Sequence, residues 1–250
     1  LKNYLNYKDM VDICNEINEQ HIPSEDAFLN KIDELFEHTN LEGKELILYS
    51  FKELLKVVDS EINNIEKKVN ISPSCEKGCA NCCYFPIITT KLEAKLMIGV
   101  INRMPDERRN QIANHLQTYF TKHHDAINKL CSINFEEVSD FKLQYISSQL
   151  PCPLLNVETN ECIAYEIRPL PCRTYLNYCN PIVCKDDFIP SEPFSYEFLR
   201  DYYIEALNEL VQTILYEDHD DYGIQYPDDV FQVDYLPTLL KNEQFMKKAK

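Results

Sequence analysis

Glycine and tryptophan are the scarce residues of this chain, with 4 glycines and no tryptophan among 250 residues. So few glycines leave little room for the positive-φ turns of a β-rich fold. No G-x-G-x-x-G or Walker-type phosphate loop is present. Cations are short as well: 25 Lys and Arg stand against 41 Asp and Glu, a formal net charge of −16. A field of that sign repels phosphate backbones, so no nucleic-acid partner is expected. Long apolar runs are missing, and nothing reaches the roughly 18 residues that span a bilayer, so no membrane association is expected either. The first residues, LKNYLNYKDMVDIC, lack the apolar core of a secretory signal. The expected compartment is therefore the reducing cytoplasm.

Cysteine is what the chain has in excess, at 11 residues. In a reducing compartment these read as metal ligands rather than disulfides, and an odd number cannot pair completely within one chain. They are also patterned. Cys75-x3-Cys79-x2-Cys82-Cys83 forms a first stretch, and Cys152, Cys162 and Cys172 a second, with Cys179 and Cys184 close behind.

Helical periodicity surrounds these stretches. Ile47, Phe51, Leu54, Leu55, Val58, Ile62, Ile65 and Val69 share one face over 44–69, and Pro73 ends that helix. Thr90-x-x-Glu93 is a capping box ahead of Leu92, Leu96, Met97 and Val100. Further helices are expected over about 105–131, 135–149 and 195–216, and a last one from Pro237. Leu154-Leu155 and Cys162-Ile163-Ala164-Tyr165 flank Glu158-Thr159-Asn160, which suggests a small hairpin. Residues 1–40, with Pro23-Ser24 inside, read as a loosely attached preface. The expected fold is mainly α: helices framing an irregular cysteine-rich metal-binding centre, with at most a small β-hairpin. The expected division is 1–70, 71–190 and 191–250, or one compact domain. Tyr and Phe, at 16 and 12, supply the aromatic packing.

Thiolates at these spacings suit a soft metal. Cys75-x3-Cys79-x2-Cys82 meets the pair spacing of zinc sites. It also has the spacing of the triplet that holds three irons of a [4Fe–4S] cluster in radical-SAM enzymes, although no barrel-like alternation of strands and helices accompanies it. Adjacent side chains diverge, so Cys82 and Cys83 serve different centres, or one is a bridging or spare ligand. Roughly 70 residues separate the two stretches, so they share a site only if the helices between them fold back. Arg168 and Arg173 lie beside the second stretch, two of only 6 arginines. Their guanidinium groups either hydrogen-bond the sulfurs and offset thiolate charge, or pair with Glu158, Glu161 or Glu166. Tyr165 and Tyr175 could wall the site from water.

The remaining polar clusters carry no chemistry in this reading. Cys14, with Met10, Val11, Ile13 and Ile17, and Cys131 at a helix end read as core. Cys184 reads equally as an extra ligand or a neighbour. His123-His124-Asp125 is a solvated helix face, and Glu217-Asp218-His219-Asp220-Asp221 a hydrophilic connector. No nucleophile arrangement of the Ser/His/Asp or Cys/His kind stands out, and catalytic residues stay unassigned.

The run CxxxCxxCC, then CPLL, then C-x2-Y-x2-RP-x2-CR-x-Y resembles the YkgJ-type cysteine-cluster family, a zinc- or iron-chelating domain that includes the FliB-type flagellin lysine N-methylases. The resemblance covers roughly 74–180. It implies a metal or iron–sulfur centre held by Cys75, Cys79, Cys82, Cys83, Cys152, Cys162, Cys172 and Cys179, with Tyr165, Arg168, Pro169 and Arg173 between them. An iron–sulfur cluster is favoured over zinc. The FliB-type members imply S-adenosylmethionine as cofactor and a protein substrate with an exposed lysine. The alternative is a non-enzymatic module that stores or delivers zinc or iron, or a zinc-stapled scaffold.

Overall fold

The computed structural model describes residues 4–76 and 78–246, without the side chains of 244–246. The helices are α1 (Tyr7–Glu16), α2 (Asp26–His38), α3 (Gly43–Lys68), α4 (Lys91–Ile101), α5 (Asp106–Lys122), α6 (His124–Leu130) and α7 (Phe141–Ser147). After them come α8 (Pro171–Thr174), α9 (Val183–Asp186), α10 (Phe198–Asp218), α11 (Asp228–Phe231) and α12 (Leu236–Met246). The strands are β1 (Ile88–Thr90), β2 (Leu155–Asn156), β3 (Glu161–Cys162), β4 (Tyr175–Leu176), β5 (Phe194–Ser195) and β6 (Val233–Tyr235). Among the described residues the strands form only two-stranded antiparallel pairs, β1 with β6, β2 with β3 and β4 with β5. The protein is mainly α, as its periodicity predicts.

Contacts gather into two units, each assembled from separate stretches of chain. The first comprises the chain up to Cys75, Cys172–Pro181 and Ser191–Val230; the second comprises Glu76–Pro171, Ile182–Pro190 and the chain from Phe231 onward.

The first unit is built on α3. Its apolar face, Ile47, Phe51, Leu54, Leu55, Val58, Ile62 and Ile65, is buried throughout. Helices α2 and α10 pack against it, contributing Phe28, Ile32 and Leu35 from the one and Leu199, Tyr203, Leu207, Leu210 and Ile214 from the other. Burying one such side chain is worth about 1.5–3 kcal/mol, so this contact is a true core. The expectation of a loose N-terminal preface is thereby corrected: Met10, Ile17, Phe28, Ile32 and Leu35 are all core residues. Pro23 interrupts the helix without detaching what precedes it. Asn6 caps α1, its side-chain oxygen accepting from Asp9 N at 2.9 Å.

The second unit centres on α4, against which α12 packs. Thr90 Oγ1 accepts from Glu93 N at 3.0 Å, the first half of the expected capping box. The buried Glu93 carboxylate also receives the Thr89 hydroxyl and Leu170 N. Glu93 thus ties the start of α4 to the chain just ahead of α8. The helix expected over 105–131 breaks at His123 (φ −106°, ψ 16°), which leaves the helical region and separates α5 from α6. The helix expected over 135–149 shrinks to α7. Asn134 explains the loss, because its side chain accepts from Glu136 N at 3.0 Å and makes a local turn that competes with helix. Among the described residues no helix is long and apolar enough to cross a membrane.

Candidate metal centre

In the second unit the first cysteine stretch is a tight turn. Cys79 N bonds Glu76 O at 2.9 Å, and Cys83 N bonds Ala80 O at 3.0 Å. A single 3₁₀ turn, Asn81–Tyr84, presents Cys82 and Cys83. The second stretch is the expected hairpin, with Leu155 opposite Cys162. A hydrogen bond joins the two stretches: Cys152 N donates to Cys83 O at 2.7 Å. The helices between them do fold back, as a shared site requires.

The sulfurs of this unit feel one another. Cys82 is exposed, and its thiol is pulled down to about 7. The main cause is a hydrogen bond with Cys83; crowding by protein atoms opposes it, and the Arg168 charge adds to it. Cys152 and Cys162 move the other way. Burial pushes both thiols up, and each also feels the negative charge that Cys82 would carry. Arg168 counters part of this at Cys162. Its guanidinium stacks 4.3 Å from the centroid of Tyr165, a ring 54% exposed that shields the cation. Leu154 N points at Cys152 Sγ at 3.4 Å, the N–H···S contact by which backbone offsets thiolate charge.

The first unit holds the remaining expected residues. Asn177 N donates to Cys75 Sγ at 3.4 Å, and Ser74 N and Oγ both donate to Asn177 O. Cys179 is buried, its N–H on Asn177 Oδ1 at 3.1 Å. Burial raises its thiol, and Glu192 and Asp9 add to the effect. Cys14 is its neighbour, raised by burial and by Cys179. Cys172 sits on α8 beside Arg173, whose buried guanidinium donates to Asp59 of α3. Asp59 is not among the three glutamates that the sequence offered as partners. Tyr175 lies in β4, opposite Ser195.

Cys184, undecided from sequence, is placed by its helix. α9 packs against the 3₁₀ turn of Cys82 and Cys83. That contact joins segments a hundred residues apart, which no local pattern in the sequence could reveal. Cys131 shares Tyr119 and Tyr145 as neighbours with Cys152; burial pushes its thiol up to about 11, and Thr238, Asp234 and Lys241 also act on it.

Chemically, the second unit offers a set of thiols beside the Arg168 guanidinium. Such a donor set fits a thiophilic ion and not a hard, oxygen-seeking one. The backbone gathers these cysteines without closing them. Among the described residues no three Cys, His, Asp or Glu side chains already converge on one ligation point.

Residues 74–187 match the model of the CxxCxxCC family, described as a "putative zinc- or iron-chelating domain". No curated protein and no solved structure matches the chain.

Proposed function

We propose that this chain, which carries a CxxCxxCC cysteine-cluster domain over residues 74–187, binds zinc or iron through thiolates gathered in its second unit. The ligands come from Cys79, Cys82, Cys83, Cys152 and Cys162, with Cys184 as an added donor. Cys75, Cys172 and Cys179 remain ligand proposals from the motif. The observation that carries the reading is the Cys152 N–H bond to Cys83 O, which brings two distant cysteine stretches to one place. Arg168 supports it, because a cation beside several thiols lowers the cost of ionising them.

Of the two metals, an iron–sulfur centre is the first reading, on the Cys75-Cys79-Cys82 spacing. Zinc is the second, since thiolates hold it well and it replaces iron lost in air. Anaerobic purification from cells, elemental analysis, visible absorption and electron paramagnetic resonance separate them. A brown protein with near-stoichiometric iron is expected. A colourless protein full of zinc would select the structural reading. A folded, metal-free protein that also refuses reconstitution would overturn metal binding altogether. The lysine N-methylase reading, with S-adenosylmethionine and an exposed protein lysine as reactants in the cytoplasm, rests on the family resemblance alone. Calorimetric titration of the reconstituted protein with S-adenosylmethionine tests it.

A further inference from the structure

Three side chains of α5 reach across to the second cysteine stretch. Arg108 Nη2 donates to Ile163 O. His115 Nε2 meets Pro153 O at 3.0 Å. Tyr119 Oη donates to Pro151 O at 2.7 Å. Positions 108, 115 and 119 fall on one helical face, and they span about 16 Å of helix at 1.5 Å per residue. The partner of His115 is a carbonyl, so Nε2 must carry the proton. Burial holds its pKa below the ordinary histidine value, which favours the neutral Nε2–H form.

The three acceptors are not scattered. Pro151 and Pro153 flank Cys152 on either side, and Ile163 follows Cys162 directly. Proline has no N–H, so at 151 and 153 the carbonyl is the only backbone group through which the chain can be held. Between them Cys152 N is already engaged by Cys83 O. The backbone around Cys152 is therefore held at 151, 152 and 153 in succession. Farther along, Ile163 N bonds Leu154 O at 2.8 Å, closing the hairpin that carries Cys162.

We propose that Arg108, His115 and Tyr119 are positioning residues: acting through these carbonyls, they set where Cys152 and Cys162 present their sulfurs, and so how tightly the site takes a thiophilic metal ion. The inference rests on the metal-binding reading above. Partners one shell out from a metal commonly change its affinity 10- to 100-fold, because a ligand free to wander must be ordered when the metal binds.

Cobalt(II) is the probe, titrated anaerobically into the reduced full-length chain. Its charge-transfer and d–d bands report sulfur ligation and geometry directly. Tyr119→Phe removes one hydroxyl and keeps the ring. His115→Leu removes a donor, and His115→Gln restores one. Tyr119→Phe and His115→Leu are expected to weaken cobalt binding by about 10-fold or more and to alter the bands, with His115→Gln recovering most of the affinity. A role in stability alone would lower the melting temperature of the metal-free protein and leave the cobalt spectrum and affinity of the folded fraction unchanged. That outcome, or wild-type affinity in both variants, overturns the clamp and leaves the metal reading standing. If His115→Leu fails to fold, Tyr119→Phe decides by the same criterion. A wild-type chain that takes up neither cobalt, zinc nor iron overturns both.

Discussion

Cys82 and Cys152 are the same residue type in one unit, yet their surroundings make them opposite reagents. Cys82 is exposed, receives a hydrogen bond from its neighbour and faces Arg168, so its thiol falls to about 7. Cys152 is buried, and desolvation keeps it protonated well above neutrality. In metal-free protein at pH 7, iodoacetamide should label Cys82 first, and Cys152 only after unfolding; mass spectrometry of tryptic peptides reads the order. Labelling of Cys82 should slow as pH drops below about 7, because the thiolate is lost. Arg168→Met removes a cation, raises the thiol and should slow labelling at pH 7. Equal labelling of the two cysteines in the folded protein would contradict this account.

Among the elements, α3 carries Glu66, an acidic side chain buried in the first unit. Glu66 Oε1 accepts from Tyr178 Oη at 2.7 Å, and Tyr178 Oη lies 2.6 Å from Tyr196 Oη. With Tyr178 donating to the carboxylate, Tyr196 must donate to Tyr178. Burial raises the Glu66 carboxyl, and the Tyr178 hydrogen bond opposes it in part. A raised folded pKa means that the folded state binds the proton more tightly than the unfolded chain. The stability linked to that proton is fully present below the unfolded value near 4.5 and is lost as pH rises through the folded one. Glu66→Gln keeps an acceptor for Tyr178 and removes the titration. Denaturant melts from pH 4.5 to 7 should show the wild type losing stability relative to the variant. Parallel curves for the two proteins would show that Glu66 does not titrate in this way.

For the whole molecule, metal binding and folding are linked wherever ligands are assembled by the fold. Stability then rises with free metal, by about 2.7 kcal/mol at a hundredfold excess over Kd. Removing the metal with a chelator should lower the melting temperature, and adding zinc or reconstituting iron should raise it in a concentration-dependent way. Cys162→Ser, which removes a thiol from the hairpin, should weaken that dependence. A melting temperature indifferent to metal would mean that the ion sits outside the folded core. The formal charge of −16 makes uptake of any cation easier at low salt, so these titrations belong at physiological ionic strength.

Periodicity and cysteine spacing were enough to read the mainly α class, the long helix α3, the Thr90 cap and the hairpin around Cys162, because each depends on neighbours within a few residues. The resemblance to the CxxCxxCC family was legible as well, since the motif lies in the order of residues 74–187, the stretch that matches that family's model. Tertiary structure alone decided the rest. Strands as short as β1 and β6 carry no alternation, so their pairing across the chain could not be foreseen. Arg173 found Asp59, α9, which carries Cys184, packed against the turn of Cys82 and Cys83, and α5 reached the carbonyls beside Cys152 and Cys162. Each of these joins residues far apart in sequence. The energy of such a contact depends on where the core places two backbones, and composition and local pattern are silent about that.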